Sequence, residues 1–169
     1  TLDILAMQGE IYDLILLLQG DEPQIFPRDI TTLKNAFTNR EFEVVNLVFP
    51  IDGNDLENPN VVKAITDNNL NINFFSRSHI PFNSCISMRQ LGMIGFTNKA
   101  LKVYSTLIPT SLEETESIDM MRFLENDYSI QGVLSSCSIF GIDNPEDIQK
   151  VEMMMLDDKL LHLYKEKYK

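Results

Sequence analysis

Short runs of apolar residues alternate along the chain with longer stretches in which apolar positions recur every three or four residues. The runs are typical of strands and the longer stretches of amphipathic helices. Strands covered by helices require this alternation, so the pattern predicts an α/β fold. Because the chain shows no internal repeat, low-complexity run or linker, we expect residues 1–169 to form one domain.

The first apolar run, residues 13–18, contains no polar alternation, which predicts a strand at the centre of a sheet with both faces covered. Asp67 and the two asparagines after it favour a tight turn that joins two strands into a hairpin. The segment from Ser78 to Ser87 is predicted as a loop. The remaining predicted strands cover residues 43–51, 61–66, 72–76, 91–96, 130–134 and 140–143.

Capping residues mark the predicted helices. Pro27 fits the first turn of one helix, and Asn98 can cap another. Thr110 or Ser111 can cap a third, whose first turn carries acids that the helix dipole favours. Asn144 followed by proline opens the last. These helices are predicted over residues 27–38, from 98 past 104, 111–126 and 145–168.

Composition excludes several classes of protein. A formal charge of -11 disfavours nucleic acid as a partner. Cys85 and Cys137 fit no metal-ligand spacing and are interpreted as buried apolar residues in a reducing compartment. No window reaches 18 apolar residues, so no membrane span is predicted. The chain begins at Thr1 without a basic segment, so we expect no signal peptide and a natural start outside the chain.

Two acidic residues follow predicted strands. Asp21 comes after the first strand, and Asp143 lies just before the last helix. In open α/β sheets ligands bind beyond the carboxyl ends of strands. Two carboxylates there can hold Mg²⁺, which fills its other positions with substrate phosphate and water. The alternative is that Asp21 is a turn residue and Asp143 merely precedes a helix.

Three further polar side chains are candidates for binding. Arg77 ends a strand, where a guanidinium can bind a carboxylate or phosphate through two hydrogen bonds. Gln19 and Gln90 can read a nucleobase edge or sugar hydroxyls. The alternatives are a surface ion pair for the arginine and simple solvation for the glutamines.

Four motifs in this order resemble the 3-deoxy-manno-octulosonate cytidylyltransferases, also called CMP-KDO synthetases. They are Gln19-Gly20-Asp21-Glu22-Pro23, Phe74-Phe75-Ser76-Arg77 with Ile80-Pro81, Pro109 to Arg122, and Gly141-Ile142-Asp143 with Pro145-Glu146-Asp147. The resemblance extends from about residue 11 to residue 155. It implies a three-layer, Rossmann-like nucleotidyltransferase fold with a mixed sheet.

The resemblance also implies a reaction. Such enzymes join CTP to an eight-carbon keto-sugar acid and release pyrophosphate, for lipopolysaccharide or capsule synthesis in the cytoplasm. Asp21 and Asp143 match the metal-binding aspartates, Gln19 the nucleotide-binding position and Arg77 the sugar-acid position. Gln90 and Asp119 fall at further substrate positions. A homodimer is implied, with residues 78–90 as a small excursion near its interface.

The chain departs from the family pattern in three ways. No phosphate-binding loop precedes Thr1, Gln90 stands where many relatives carry His, and Asp119 stands where Glu is usual. We therefore expect the chain alone to release little pyrophosphate. Two alternatives stay open: a non-catalytic binding or assembly module, and a cytidylyltransferase for another nonulosonic or 8-amino sugar acid.

Overall fold

The computed structural model describes residues 2–38, 42–158 and 160–165. Its strands are β1 (Leu14–Leu18), β2 (Val44–Asp52), β3 (Lys63–Thr66), β4 (Asn71–Ser76), β5 (Ile86–Thr97) and β6 (Ile130–Leu134). Its helices are α1 (Leu2–Met7), α2 (Pro27–Ala36), α3 (Asn54–Glu57), α4 (Asn98–Tyr104), α5 (Ser111–Glu116), α6 (Met121–Glu125), α7 (Pro145–Leu156) and α8 (Leu161–Lys165). Within these ranges, each helix is too short or too polar to cross a bilayer.

The six strands form one mixed sheet in the order β1-β5-β2-β6-β4-β3. Strand β5 is antiparallel to both β1 and β2, whereas β2 and β6 are parallel. Strand β3 also pairs with the first half of β5. Strands β1, β2 and β6 therefore point the same way, and their carboxyl ends share one side of the sheet.

Alternating side chains of β2 supply two cores, one on each face of the sheet. Val44 and Val48 pack in a cluster with Phe123 of α6. Val45 and Leu47 pack in a second cluster on the opposite face, with residues of α2. A strand covered on both faces is expected to be largely apolar, which explains why most residues of β2 are apolar. This arrangement confirms the predicted three-layer α/β fold.

Strand β1 is not central, contrary to the prediction from its apolar sequence. Its only strand partner within the described ranges is β5. Leu17 and Leu18 are 46% and 42% exposed. An apolar run indicates that neither face of the strand is exposed to water. It does not indicate which strands pair with this one, and that pairing sets the strand order. The prediction of a central position was wrong for this reason.

The helix predicted over residues 111–126 is two helices. Ser117 adopts a left-handed conformation with φ 54°, which ends α5 and separates it from α6. The apolar spacing continues across the break, so periodicity alone did not reveal it. The predicted start was right, since Thr110 and Glu113 form a capping box.

Other boundaries also differ. Residues 140–143 form irregular backbone and not a strand. The last predicted helix begins at Pro145 as expected but ends at Leu156, and its predicted end at residue 168 lies outside the described residues. Strand β5 begins at Ile86, so residues 86–90 of the predicted excursion 78–90 belong to the sheet. The cap of α4 is Thr97, one residue before the predicted Asn98.

The predicted hairpin is confirmed as β3 and β4, whose turn Asp67 holds by accepting hydrogen bonds from the backbone of Asn69 and Asn71. The interpretation of the cysteines was half right. Cys137 is partly buried, but Cys85 is exposed in the loop before β5.

A buried ion pair generates a stability prediction. The Arg122 Nε donates to Glu113 Oε2 at 2.6 Å, and a second bond joins Nη2 to Oε1. These bonds hold the pKa of the Glu113 carboxyl below its ordinary value of 4.5. A lowered folded-state pKa means that the pair stabilises the protein above that ordinary value and that this contribution is lost as pH falls.

Glu113→Gln should therefore lower the free energy of unfolding by about 1–3 kcal/mol at neutral pH. The deficit should shrink as the pH falls below about 4.5 and the wild-type carboxyl becomes protonated. Urea unfolding across this range measures both effects. Glu114→Gln, an exposed neighbour on α5, is the matched control, and a deficit that stays constant with pH would contradict the prediction.

Candidate functional site

The cavity lies where two strands diverge from the same edge of β5. Strand β3 pairs with Met88 and Arg89, and β1 pairs with residues 93–97. Gln90, Leu91 and Gly92 lie between these pairings. A cavity of about 520 Å³ opens beside them, a volume within the usual range for small-molecule sites.

All six predicted site residues line this cavity: Gln19, Asp21, Arg77, Gln90, Asp119 and Asp143. They come from the loop after β1, the end of β4, the middle of β5, the break between α5 and α6, and the segment before α7. The tertiary fold thus brings together residues separated by up to 124 positions in sequence.

The turn after β1 is fixed to β5 by reciprocal hydrogen bonds. The Gln19 backbone N–H donates to the Gly92 carbonyl at 2.9 Å, and the Gly92 N–H donates to Glu22 Oε2 at 2.8 Å. Gly92 is required here because an added Cβ would lie 2.8 Å from the Gln19 Cβ. This close approach places Gln19 against the strand and its side chain in the cavity wall.

Burial raises the pKa of the Glu22 carboxyl, and the charges of Asp21 and Asp143 add to this effect. The Gly92 N–H and the charge of Arg89 oppose it. Glu22 is only 6% exposed. No role for Glu22 is predicted from the sequence, although an acid beside a predicted strand end was a usable signal.

Asp21 and Asp143 both line the cavity at its exposed rim, although residues 140–143 form no strand and Asp143 therefore does not follow one. The Ile142 N–H donates to the Asp21 carbonyl at 2.9 Å, which joins the two segments. Both side chains are exposed. Within the described ranges no group of three or more His, Cys, Asp and Glu side chains could hold a metal ion. Two carboxylates with open positions suit Mg²⁺, which keeps several waters or phosphate oxygens.

Asp143 owes its position to the start of α7. Asp147 accepts hydrogen bonds from the backbone of Asp143 at 3.1 Å and of Asn144 at 2.8 Å, as part of the capping box. The helix cap therefore orients the backbone that carries the second rim carboxylate.

Arg77 joins three segments around the cavity. Its Nε donates to the Glu116 carbonyl at 3.0 Å, its Nη1 to the Pro59 carbonyl at 3.0 Å and its Nη2 to the Ser117 carbonyl at 3.2 Å. A guanidinium has five N–H donors, so two remain for a ligand. The broken helix supplies two of these carbonyls. The Ser117 conformation is thus part of how the site is built.

Buried Lys63 holds the backbone of Arg77 in place. Its Nζ donates to the Arg77 carbonyl at 2.6 Å, to the Asn58 carbonyl at 2.9 Å and to the Val61 carbonyl at 2.8 Å. Three acceptors satisfy all three ammonium donors. Burial lowers the pKa of this ammonium group. Lys63 fastens the segment before β3 to the end of β4.

Gln90 is oriented by a buried asparagine. Its Nε2 donates to Asn46 Oδ1 at 2.7 Å, and Asn46 Nδ2 bonds to the carbonyls of Leu47 and Leu91. Asn46 lies at the irregularity in the pairing of β2 with β5. No described residue donates a hydrogen bond to the Gln90 side-chain carbonyl oxygen, so this oxygen can accept one from a ligand.

Asp119 is exposed between buried Ile118 and Met120. Beside it Tyr104 lines the cavity, with the Arg122 guanidinium 4.4 Å from its ring centre. Burial, with a contribution from Asp119, raises the pKa of the Tyr104 hydroxyl. Tyr104 therefore stays a neutral donor and acceptor at neutral pH.

Sequence reasoning missed Arg89 entirely. It is 8% exposed, lies on β5 and lines the cavity. A usable signal existed, since an arginine next to an apolar strand segment is rarely buried without a reason.

Comparison with known proteins supports the fold and the family. The Cytidylyltransferase family model matches residues 2–131. A 3-deoxy-manno-octulosonate cytidylyltransferase of Chlorobium limicola is 36% identical over 152 residues, covering 85% of this chain and 62% of that protein. The mitochondrial enzyme of the same name from Arabidopsis thaliana is 36% identical over 155 residues, covering 85% of this chain and 52% of that protein.

A solved structure of CMP:2-keto-3-deoxy-manno-octonic acid synthetase complexed with CTP superposes with a TM-score of 0.82 and 26% identity, covering 90% of this chain and 66% of that one. A proposed glucose-1-phosphate thymidylyltransferase from Bacillus anthracis, at TM-score 0.64 and 18% identity, covers 94% of this chain and 62% of that one and shows the fold alone.

The chain spans about 62% of the length of the Chlorobium limicola relative. The match of the family model to most of the chain confirms the resemblance that the four motifs predicted. This chain belongs to the cytidylyltransferase family.

Proposed function

We propose that the protein transfers a cytidylyl group from CTP to a sugar acid of the 3-deoxy-manno-octulosonate type, giving a CMP-sugar and pyrophosphate. The observation that carries this proposal is the gathering of six predicted residues around one cavity. In the reaction the anomeric hydroxyl oxygen bonds to the α-phosphorus while the bond to the leaving pyrophosphate breaks. No nucleophilic side chain is needed, so binding and orientation provide most of the catalysis.

Asp21 and Asp143 are proposed to hold a divalent cation, and Mg²⁺ fits their paired, exposed carboxylates. When bound, Mg²⁺ supplies positive charge that offsets the charge developing on the phosphoryl oxygens. The chain's own contribution is to fix the two carboxylates. The hydrogen bond from Ile142 N–H to the Asp21 carbonyl does this, together with the capping box of α7.

The other cavity residues are proposed to bind the two substrates. Gln19 offers its side-chain amide to the nucleotide from the end of β1. Arg77 offers its two remaining N–H donors to the sugar acid, and Gln90 and Asp119 offer acceptors to sugar hydroxyls. Because backbone carbonyls already orient Arg77, less side-chain entropy is lost on binding.

One observation favours a second candidate, a cytidylyltransferase for a different keto-sugar acid. The amide of Gln90 is neutral and is held by Asn46, whereas an imidazole there could carry charge. A panel of keto-sugar acids offered with CTP distinguishes the two candidates by kcat/KM. The homodimer, the cytoplasmic location and the role in lipopolysaccharide synthesis stay predictions.

The metal assignment predicts a loss of turnover. In protein expressed from the complete reading frame, Asp21→Asn and Asp143→Asn should each lower the Mg²⁺-dependent rate of pyrophosphate release by about 100-fold or more. The neutral amide binds a hard cation far more weakly than a carboxylate does. Pyrophosphate release coupled to a colorimetric assay measures the rate.

Asp13→Asn is the matched control, because Asp13 is exposed just before β1 and lies outside the cavity lining. Its rate should equal that of the wild type. Normal turnover in either cavity variant would remove the metal assignment. Absence of turnover in the wild type with CTP and every keto-sugar acid in the panel would remove the proposed function.

Gly92→Ala should disturb both folding and nucleotide binding. The new methyl carbon would lie 2.8 Å from Gln19 Cβ and 2.9 Å from Gln19 Cδ, closer than packed carbon atoms approach. We expect the Tm to fall by roughly 3–10 °C and the KM for CTP to rise. Gly20→Ala is the control for stability, since an added Cβ there meets nothing within 4 Å. An unchanged Tm in Gly92→Ala would contradict this packing argument.

A further inference from the structure

Arg89 is an unusual residue in this structure because its charge is buried without a hydrogen-bond partner. The side chain is 8% exposed, and its Nε is a buried donor with no acceptor in the described part of the chain. The two terminal nitrogens likewise form no hydrogen bond or ion pair with a described residue. A buried charged donor without an acceptor is costly because it loses its hydration without compensation, and this applies to the Nε of Arg89.

The neighbouring groups do not relieve this cost. Lys63 lies directly opposite on β3, and it is also a buried cation. Its ammonium group uses the nearby carbonyls of Asn58, Val61 and Arg77. Like charges on directly paired strand positions destabilise a sheet. The local arrangement therefore places Arg89 opposite a second cation, which cannot act as its acceptor.

The carboxyl group of Glu22, an acidic neighbour of Arg89, is engaged elsewhere. Glu22 is close enough for Arg89 to lower the pKa of its carboxyl, yet no ion pair forms between them within the described residues. Glu22 Oε2 instead accepts the Gly92 N–H at 2.8 Å. Glu22 therefore holds the turn after β1 and leaves the guanidinium of Arg89 unpaired.

We infer that Arg89 binds an oxyanion of a substrate in the cavity, through the planar fork that suits carboxylate and phosphate oxygens alike. This inference rests on the proposed function for the identity of the substrates. A carboxylate of the sugar acid and a phosphate of CTP are the two sources of such oxygens. Arg89 lines the cavity beside Gln90, so a bound oxyanion there would lie within the same site.

The inference assigns to Arg89 a role that differs from that of Arg77. Three of the five Arg77 donors are already used by backbone carbonyls. The Arg89 side chain forms no hydrogen bond with any described residue, and an acceptor that arrives with the substrate would pair with its guanidinium. Binding of substrate is then coupled to relief of an unfavourable state of the free protein.

Calorimetric titration of protein expressed from the complete reading frame tests the inference, with four probes in buffer containing Mg²⁺. These are 3-deoxy-manno-octulosonate, its methyl ester, CTP and inorganic pyrophosphate. Arg89→Met removes the charge and keeps much of the side-chain length. Arg28→Met is the matched control, because Arg28 is exposed on α2 outside the cavity.

We expect Arg89→Met to weaken binding of at least one oxyanion by about 10- to 100-fold, with Arg89→Lys weakened less. A loss for the sugar acid but not for its methyl ester identifies the carboxylate as the bound group. A loss shared by CTP and pyrophosphate identifies phosphate. Circular dichroism checks the fold, and Arg89→Gln replaces the Met variant if that variant does not fold.

Equal affinities of the wild type and Arg89→Met for every probe would overturn the inference and leave the proposed function intact. Pyrophosphate binding that depends on Arg89, in a protein that binds neither CTP nor the sugar acid, would support the oxyanion site and overturn the proposed function. Failure of the wild type to bind any probe would overturn both.

Discussion

One edge of β5 is shared by two strands, and the candidate site depends on this sharing. Strand β3 takes the first part of that edge and β1 the last part. The backbone between them must find other partners, because buried peptide groups are costly when unpaired. The carbonyl of Val62 accepts the Gln90 N–H, and the turn after β1 supplies both Gln19 and Glu22 to Gly92. Satisfying those peptide groups brings the loop that carries Asp21 to the cavity.

The cations around the cavity differ in whether the protein supplies acceptors for their hydrogen bonds. Lys63 and Arg77 donate to backbone carbonyls and so join segments that come from different parts of the chain. Arg89, by contrast, has no acceptor among the described residues. The hydrogen bonds of Lys63 and Arg77 to backbone hold these segments together, whereas Arg89 is left to pair with a ligand. This contrast links the packing of the site to the sugar-acid and nucleotide chemistry proposed for it.

Two errors of the sequence-based secondary-structure prediction lie at the site. The helix over residues 111–126 breaks at Ser117, and the carbonyls of Glu116 and Ser117 then accept hydrogen bonds from Arg77. Residues 140–143 are irregular, and their backbone bonds to Asp21. At both places contacts distant in sequence outweigh local propensity. Because these breaks were missed, the predicted secondary structure is wrong at both places, but the predicted rim residues are unaffected.

The sequence by itself determined the α/β class, the hairpin and the helix caps at Thr110 and Asn144, and it made Asp21 and Asp143 candidates for one rim. These features follow from local sequence patterns: apolar spacing, capping and the rule that ligands bind beyond the carboxyl ends of strands. Only the tertiary structure decided the edge position of β1 and the burial of Arg89 without a partner. Strand order and charge compensation depend on which distant segments meet, and no local pattern contains that information.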